Sequence, residues 1–199
     1  MKKYLLLFSV AILSSCQDGT VVEESVLIGA ETNVAETLEQ NPNLKAKNII
    51  LFIGDGMGPN QVALARFSVG GANHRLSFEN FPVTGIVLNH SAQNLYTDSA
   101  ASATTWAAGV KTKNGYLSVD SDNKFLPTIP ELLSTKGYLT GLVATSSITH
   151  ATPAAFYAHI NSRSKHKKIA EMLVESDIAI ALGGGCEFFK MPLSNEAIH

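Results

Sequence analysis

The stretch Asn48-Ile49-Ile50-Leu51-Phe52-Ile53 admits few settings. An apolar run without polar alternation suits a strand buried on both faces, the position strands hold in a parallel sheet. Comparable runs recur at residues 139–144 and 178–182, and residues 83–90 read as a further strand. Between these runs apolar residues fall at helical spacing. One set is Val62, Leu64, Ala65 and Phe67; another is Ile129, Leu132 and Leu133, closed by Gly137; a third is Ile169, Met172, Leu173 and Val174. The alternation predicts an α/β domain with a mostly parallel central sheet flanked by helices, spanning residues 48–199. Within it, Lys113-Asn114-Gly115-Tyr116 carries the Asn-Gly signal of a tight hairpin.

Side chains with chemistry in them collect where the strands end. Asp55 stands in Gly54-Asp55-Gly56, just past the first strand, where open α/β sheets place their ligands. The flanking glycines permit a sharp turn and leave the carboxylate open to a cation, although an Asp here also makes an ordinary helix cap. The Gly-x-Gly-x-x-Gly fingerprint is not satisfied, which counts against a dinucleotide fold. Further on, Thr97-Asp98-Ser99 opens an alanine-rich run that ends at Trp106. Thr97 or Asp98 can cap this run, which puts Ser99 in the first helical turn, where free N–H groups and the helix dipole favour an anionic oxygen.

That setting suits a nucleophile attacking a phosphoryl group, and it equally suits a capped, buried helix. No histidine or lysine lies close in sequence to serve Ser99 as base, so an active Ser99 needs another activator, for which a metal ion that lowers the pKa of its hydroxyl is the obvious candidate. After the strand at 139–144, His150 and Thr152 offer a ring nitrogen and a hydroxyl, and Arg163 offers a fork suited to phosphate. Each has a plainer reading: Thr152 as a cap before Pro153, His150 as a hydrogen-bonded loop residue, Arg163 as part of a solvated basic face reaching Lys168. His159 reads as structural.

The N-terminus reads as a targeting segment. Met1-Lys2-Lys3 is a basic leader, and the apolar run at residues 5–13, broken by Ser9, is shorter than the about 20 residues that span a bilayer. It matches a signal-peptide core over residues 1–15. Leu13-Ser14-Ser15-Cys16 resembles a bacterial lipobox, with Cys16 the lipidated mature N-terminus and membrane anchor. The chain is therefore expected to be exported, facing the periplasm or cell surface, with residues 16–47 a polar, acidic tether. Cys186 is the only other cysteine, so no disulfide framework is indicated. Without residues 1–15 the chain loses two lysines, leaving 13 basic against 17 acidic residues and a formal charge of −4. A mildly acidic exported domain is not built to recognise nucleic acid.

Five segments now converge on one family. NIILFIGDGMG (48–58), TDSAASATTWAAG (97–109), VKTKNGYLSV (110–119), THATPAAFYAHINSR (149–163) and IALGGG (180–185) together resemble alkaline phosphatase, in that family's order. The resemblance covers essentially all of residues 48–185, and its serine stretch is the most specific part. It implies two zinc sites, one magnesium site and small phosphate monoesters as substrates. Ser99 is then the nucleophile, activated as a zinc ligand and carrying a phosphoserine intermediate; Asp55 bridges that zinc and the magnesium. His150 and Thr152 fall at the magnesium site, where members carry Asp or His at the first position; a softer His leaves the identity of that ion open. Arg163 is implied to clamp the phosphate, with Asp98 orienting its guanidinium, and water held by the other zinc releases inorganic phosphate. The family also implies a homodimer.

The resemblance stops near the family's midpoint, so the domain is expected to be incomplete at its C-terminus. In the family the second half supplies most zinc ligands and the glutamate of the magnesium site, and nothing after Gly185 resembles them. Asp55 and Ser99 do not close a four-ligand zinc site by themselves. The expected function is metal-dependent hydrolysis of phosphate monoesters. The alternatives are a truncated, catalytically silent lipoprotein fragment, or a related phosphodiesterase or sulfatase, against which the TDSAASAT stretch argues.

Overall fold

The computed structural model describes residues 47–189. Helix α1 (Pro59–Gly70) begins at a proline, tolerated there because the first N–H groups of a helix lack intrahelical acceptors. Helix α2 (Ser99–Ala108) is capped by Asp98, whose Oδ1 accepts from the Ala101 N–H at 2.9 Å, and it ends at Gly109 in the left-handed region (φ 73°). Helix α3 (Ile129–Ser134) precedes strand β1 (Gly141–Ser147), and the short α4 (Ala151–Ala154) and α5 (His166–Glu175) lead to strand β2 (Ile180–Gly184).

Strands β1 and β2 pair in parallel, Gly141 with Ile180, Leu142 with Ala181 and Val143 with Leu182, then, after an irregularity, Ser147 with Gly184. Because parallel neighbours need a crossover, α4 and α5 between them complete a βαβ unit, and the fold is α/β as the sequence predicts. Two of the expected strands are not formed. Residues 48–53 and 83–90 carry no strand, and the described sheet has two strands. A strand exists only with a ladder partner, and among the described residues no strand lies beside these runs; Phe52 is 85% and Ile86 97% exposed. The Asn-Gly turn does form, with Gly115 at φ 85°, but no hairpin follows from it. Leu117 pairs instead with Ile160, antiparallel and far along the chain.

The core sits where α2 meets α4 and the segment just after it. Ala100 and Ala103 of α2 face Ala151, Ala154, Ala155 and Ala158, small side chains that let the backbones approach closely. Leu117 and Ile169 are fully buried around this contact, each contributing about 1.5–3 kcal/mol relative to exposure. The close packing fixes α2, and hence its first residue, against the segment carrying residues 150–163.

Candidate active site

Asp55 occupies a tight turn after the apolar run. The Met57 N–H donates to the Gly54 carbonyl at 3.2 Å, and Gly56 takes φ 70°, a conformation that glycine adopts without strain. The turn leaves the Asp55 side chain 44% exposed and aims it at two other elements. The Ser99 hydroxyl, at the start of α2, donates to Asp55 Oδ1 at 2.8 Å, and the Thr152 hydroxyl of α4 donates to Oδ2 at 2.7 Å. Burial pushes the carboxyl pKa up, but the Thr152 and Ser99 hydroxyl bonds, with smaller contributions from His150 and then Arg163, outweigh it and hold Asp55 below the usual carboxylate range. One carboxylate thus joins three elements, with a separate hydroxyl on each oxygen.

A second carboxylate organises the other side of the site. Asp98 Oδ2 accepts from Arg163 Nη1 at 3.2 Å and from the Gly115 N–H at 2.9 Å, while the Asp98 N–H donates to Asn114 Oδ1 at 3.1 Å. Arg163 Nη2 reaches His150 Nε2 at 3.1 Å. Since a guanidinium only donates, this contact is a hydrogen bond with Nε2 as the acceptor, the tautomer that carries its proton on Nδ1. That nitrogen lies 3.9 Å from Asp55 Oδ2, too far for a hydrogen bond. Two hydrogen-bonded groups result, Asp55 with Ser99 and Thr152, and Asp98 with Arg163 and His150, facing each other across the gap from Asp55 to His150, with Asp98 next to Ser99 in sequence. A cavity of about 500 Å³ opens beside Asp55, Ser99 and Thr152, walled by Phe52, Met57, Val87 and Trp106.

All six sequence-selected residues in the described region, Asp55, Asp98, Ser99, His150, Thr152 and Arg163, fall in these two adjoining groups. Thr152 does not cap α4, whose N-cap is His150, and Arg163 joins Asp98 rather than the basic face. Cys16 lies outside the described residues. His159 is structural: Nδ1 meets the Ser118 carbonyl at 2.8 Å and Nε2 meets Glu131 Oε1 at 2.9 Å. The sequence marks Asn114-Gly115 only as a turn, and no local signal shows that it touches Asp98.

Among the described residues no three His, Cys, Asp or Glu side chains come together as a metal site. The donors present are a carboxylate with both oxygens directed into the site, two hydroxyls and a ring nitrogen. Such an oxygen-rich set fits a hard divalent cation at Asp55 and Thr152. It supplies part of a tetrahedral zinc site, which takes four ligands.

The fold and the site together define an α/β protein with a serine at a helix start, between a carboxylate suited to cations and an arginine suited to phosphate. The alkaline phosphatase family model matches residues 46–197, and the chain belongs to that family. It is 37% identical to the alkaline phosphatase of Escherichia coli K12 over 170 residues, covering 72% of this chain and 36% of that protein. The structure of alkaline phosphatase from the Antarctic bacterium TAB5 superposes with a TM-score of 0.64 at 37% identity, over 68% of this chain and 39% of that one. A His-to-Asp mutant of the TAB5 enzyme, with magnesium bound in its M3 site, gives a TM-score of 0.64 at 36% identity, over 68% of this chain and 38% of that one. The chain thus spans well under half the length of these relatives.

Proposed function

We propose that the chain carries the nucleophile and phosphate clamp of a metal-dependent phosphate monoester hydrolase. The observation that carries this is the placement of Ser99 Oγ at a helix N-terminus, 2.8 Å from Asp55, directly after the residue that holds Arg163. The helix start favours negative charge on the serine oxygen and on an incoming phosphate. Asp55 accepts the Ser99 hydroxyl hydrogen bond and orients the oxygen for attack at phosphorus. Arg163, held on Nη1 by Asp98 and on Nη2 by His150, turns its remaining N–H groups to nonbridging oxygens and neutralises charge as the phosphoryl group moves to the serine. Asp55, Ser99, Thr152 and His150 would hold zinc and magnesium, which when bound lower the pKa of the serine hydroxyl and neutralise the leaving oxygen. Family membership and the magnesium in the TAB5 mutant support these cofactors. The test is release of phosphate from a chromogenic monoester by the chain supplied with zinc and magnesium, beside a diester and a Ser99→Ala control. Hydrolysis that survives chelation, or that survives the Ser99→Ala change, overturns the reading.

The basic, apolar leader and lipobox support export and lipidation at Cys16. Radiolabelled palmitate incorporated by the native chain but not by Cys16→Ser is the expected result, and equal labelling of both refutes it.

A further inference from the structure

We infer that Asn114 and Gly115 are positioning residues for the phosphate clamp: their turn sets Asp98 and Arg163 against one another, and so aims the guanidinium. The inference rests on the reading of Arg163 as that clamp and adds what holds it. Three hydrogen bonds carry it. Asn114 Oδ1 accepts from the Asp98 N–H at 3.1 Å, the Gly115 N–H donates to Asp98 Oδ2 at 2.9 Å, and the Gly115 carbonyl accepts from the Arg163 N–H at 2.8 Å. One dipeptide thus holds the clamp's carboxylate by its oxygen and its backbone, and holds the arginine by its backbone.

The geometry leaves the carboxylate little freedom. Asp98 Oδ1 is already taken by the Ala101 N–H as helix cap, so Oδ2 is the oxygen left for Arg163, and Gly115 shares it. Rotation of the carboxylate away from Arg163 breaks both the cap and the Gly115 bond. The turn is itself anchored. Leu117 and Ile160 exchange N–H and carbonyl at 2.9 Å each way, and the Arg163 bond to Gly115 extends this antiparallel contact to the site. Thr104 of α2 accepts from the Ser118 N–H at 2.9 Å through its hydroxyl oxygen, which ties the helix bearing Ser99 to the same segment. Gly115 stands at φ 85°, where a side chain is strained, and Asn tolerates the adjoining turn position.

The experiment uses the full chain with zinc and magnesium. It reads inorganic phosphate affinity by calorimetry and the Arg163 Nε–H resonance, assigned with Arg163→Lys, by NMR. Asn114→Ala is expected to shift that resonance and to weaken phosphate binding about threefold to tenfold, the worth of one lost hydrogen bond. Asn114→Asp, which keeps the acceptor oxygen, restores the Arg163 resonance, and in an Arg163→Ala background Asn114→Ala has no further effect on phosphate. If Asn114→Ala does not fold, Asn114→Ser, whose hydroxyl is too short to reach the Asp98 N–H, is read in its place. Unchanged phosphate affinity with an unmoved resonance overturns the inference. So does an equal loss in the Arg163→Ala background. A native chain that binds no phosphate overturns the clamp reading instead, and the Arg163 resonance alone then decides the positioning.

Discussion

Two regions of this molecule hold equally apolar sequence and treat it in opposite ways. Around α2 and α4, alanines and single larger residues such as Leu117 and Ile169 are buried to within a few per cent, and the reactive groups are fixed along the edge of that packing. The runs at residues 49–53 and 83–88, with the outer face of the sheet, leave Ile49, Phe52, Val83, Ile86, Leu88 and Val143 largely open. Apolar surface of that extent is unusual for a self-contained domain and marks a face built to be covered. The site straddles the two: Ser99, Thr152, Arg163 and Asp98 rest on the packed side, whereas Asp55 hangs from the end of an unpaired run. Rigidity of the clamp is therefore intrinsic to the packed region, while the position of Asp55 rests on its two hydroxyl partners.

The largest expected effect breaks this contrast if it fails. Leu117→Ala in the packed region should destabilise the chain by about 2–5 kcal/mol, because a fully buried leucine leaves a cavity. The same change at Leu88 in the open run, which is 76% exposed, should stay within about 0.5 kcal/mol. Urea unfolding of the two variants gives the comparison directly. Equal losses would mean that the open region is packed in solution.

Next comes overfilling. Ala154→Leu puts a branched side chain into the tight contact of α2 with α4 and should cost about 1–3 kcal/mol. Since α2 would have to move, the Ser99 to Asp55 bond should lengthen too, visible as a change in the Ser99 amide environment by NMR. A destabilised variant with an unmoved Ser99 signal would uncouple the packing from the site.

How far the site was readable follows from the same division. Asp55 and Ser99 each stand in a local pattern, a glycine turn after an apolar run and the first turn after a helix cap, and local patterns are set by neighbours in sequence, whereas His150 and Thr152 take their roles from the family resemblance. The partners of those residues are not local. Asn114 meets Asp98 across 16 residues and His159 meets Glu131 across 28, and nothing in either stretch alone names the other. The misread strands have a related cause. An apolar run encodes the need for burial, but a ladder requires a second strand, which for residues 48–53 and 83–90 is not among those described. Helix α2 was legible because its cap, small residues and terminal glycine agree with one another.

A smaller effect sharpens the packed side. Tyr157 is buried and its hydroxyl donates to the Ile148 carbonyl at 2.8 Å; burial raises its pKa above the ordinary value of 10.0. The folded chain therefore keeps this proton to higher pH than the unfolded chain does. Its stabilising contribution is full below pH 10.0 and is lost as pH rises through the unfolded value toward the folded one. Tyr157→Phe should cost about 1 kcal/mol at neutral pH through the unpaired carbonyl and should flatten the alkaline decline in stability. Thermal melts from neutral to strongly alkaline pH check both, and an unaltered alkaline limb would assign the decline to other groups.

The smallest effect lies on the seam between the regions. There Lys111 Nζ donates to the carbonyls of Leu88 and His90 at 2.9 and 2.8 Å, and the Ala92 N–H donates to the Thr112 carbonyl at 2.9 Å, fastening the open run to the core. The Thr112 hydroxyl is buried beside these bonds, and among the described residues it meets no partner. Burying an unpaired hydroxyl costs free energy, so the nearly isosteric Thr112→Val should leave stability unchanged or raise it by about 1 kcal/mol. A loss of similar size would place a hydrogen-bonding group against Thr112 from outside the described residues.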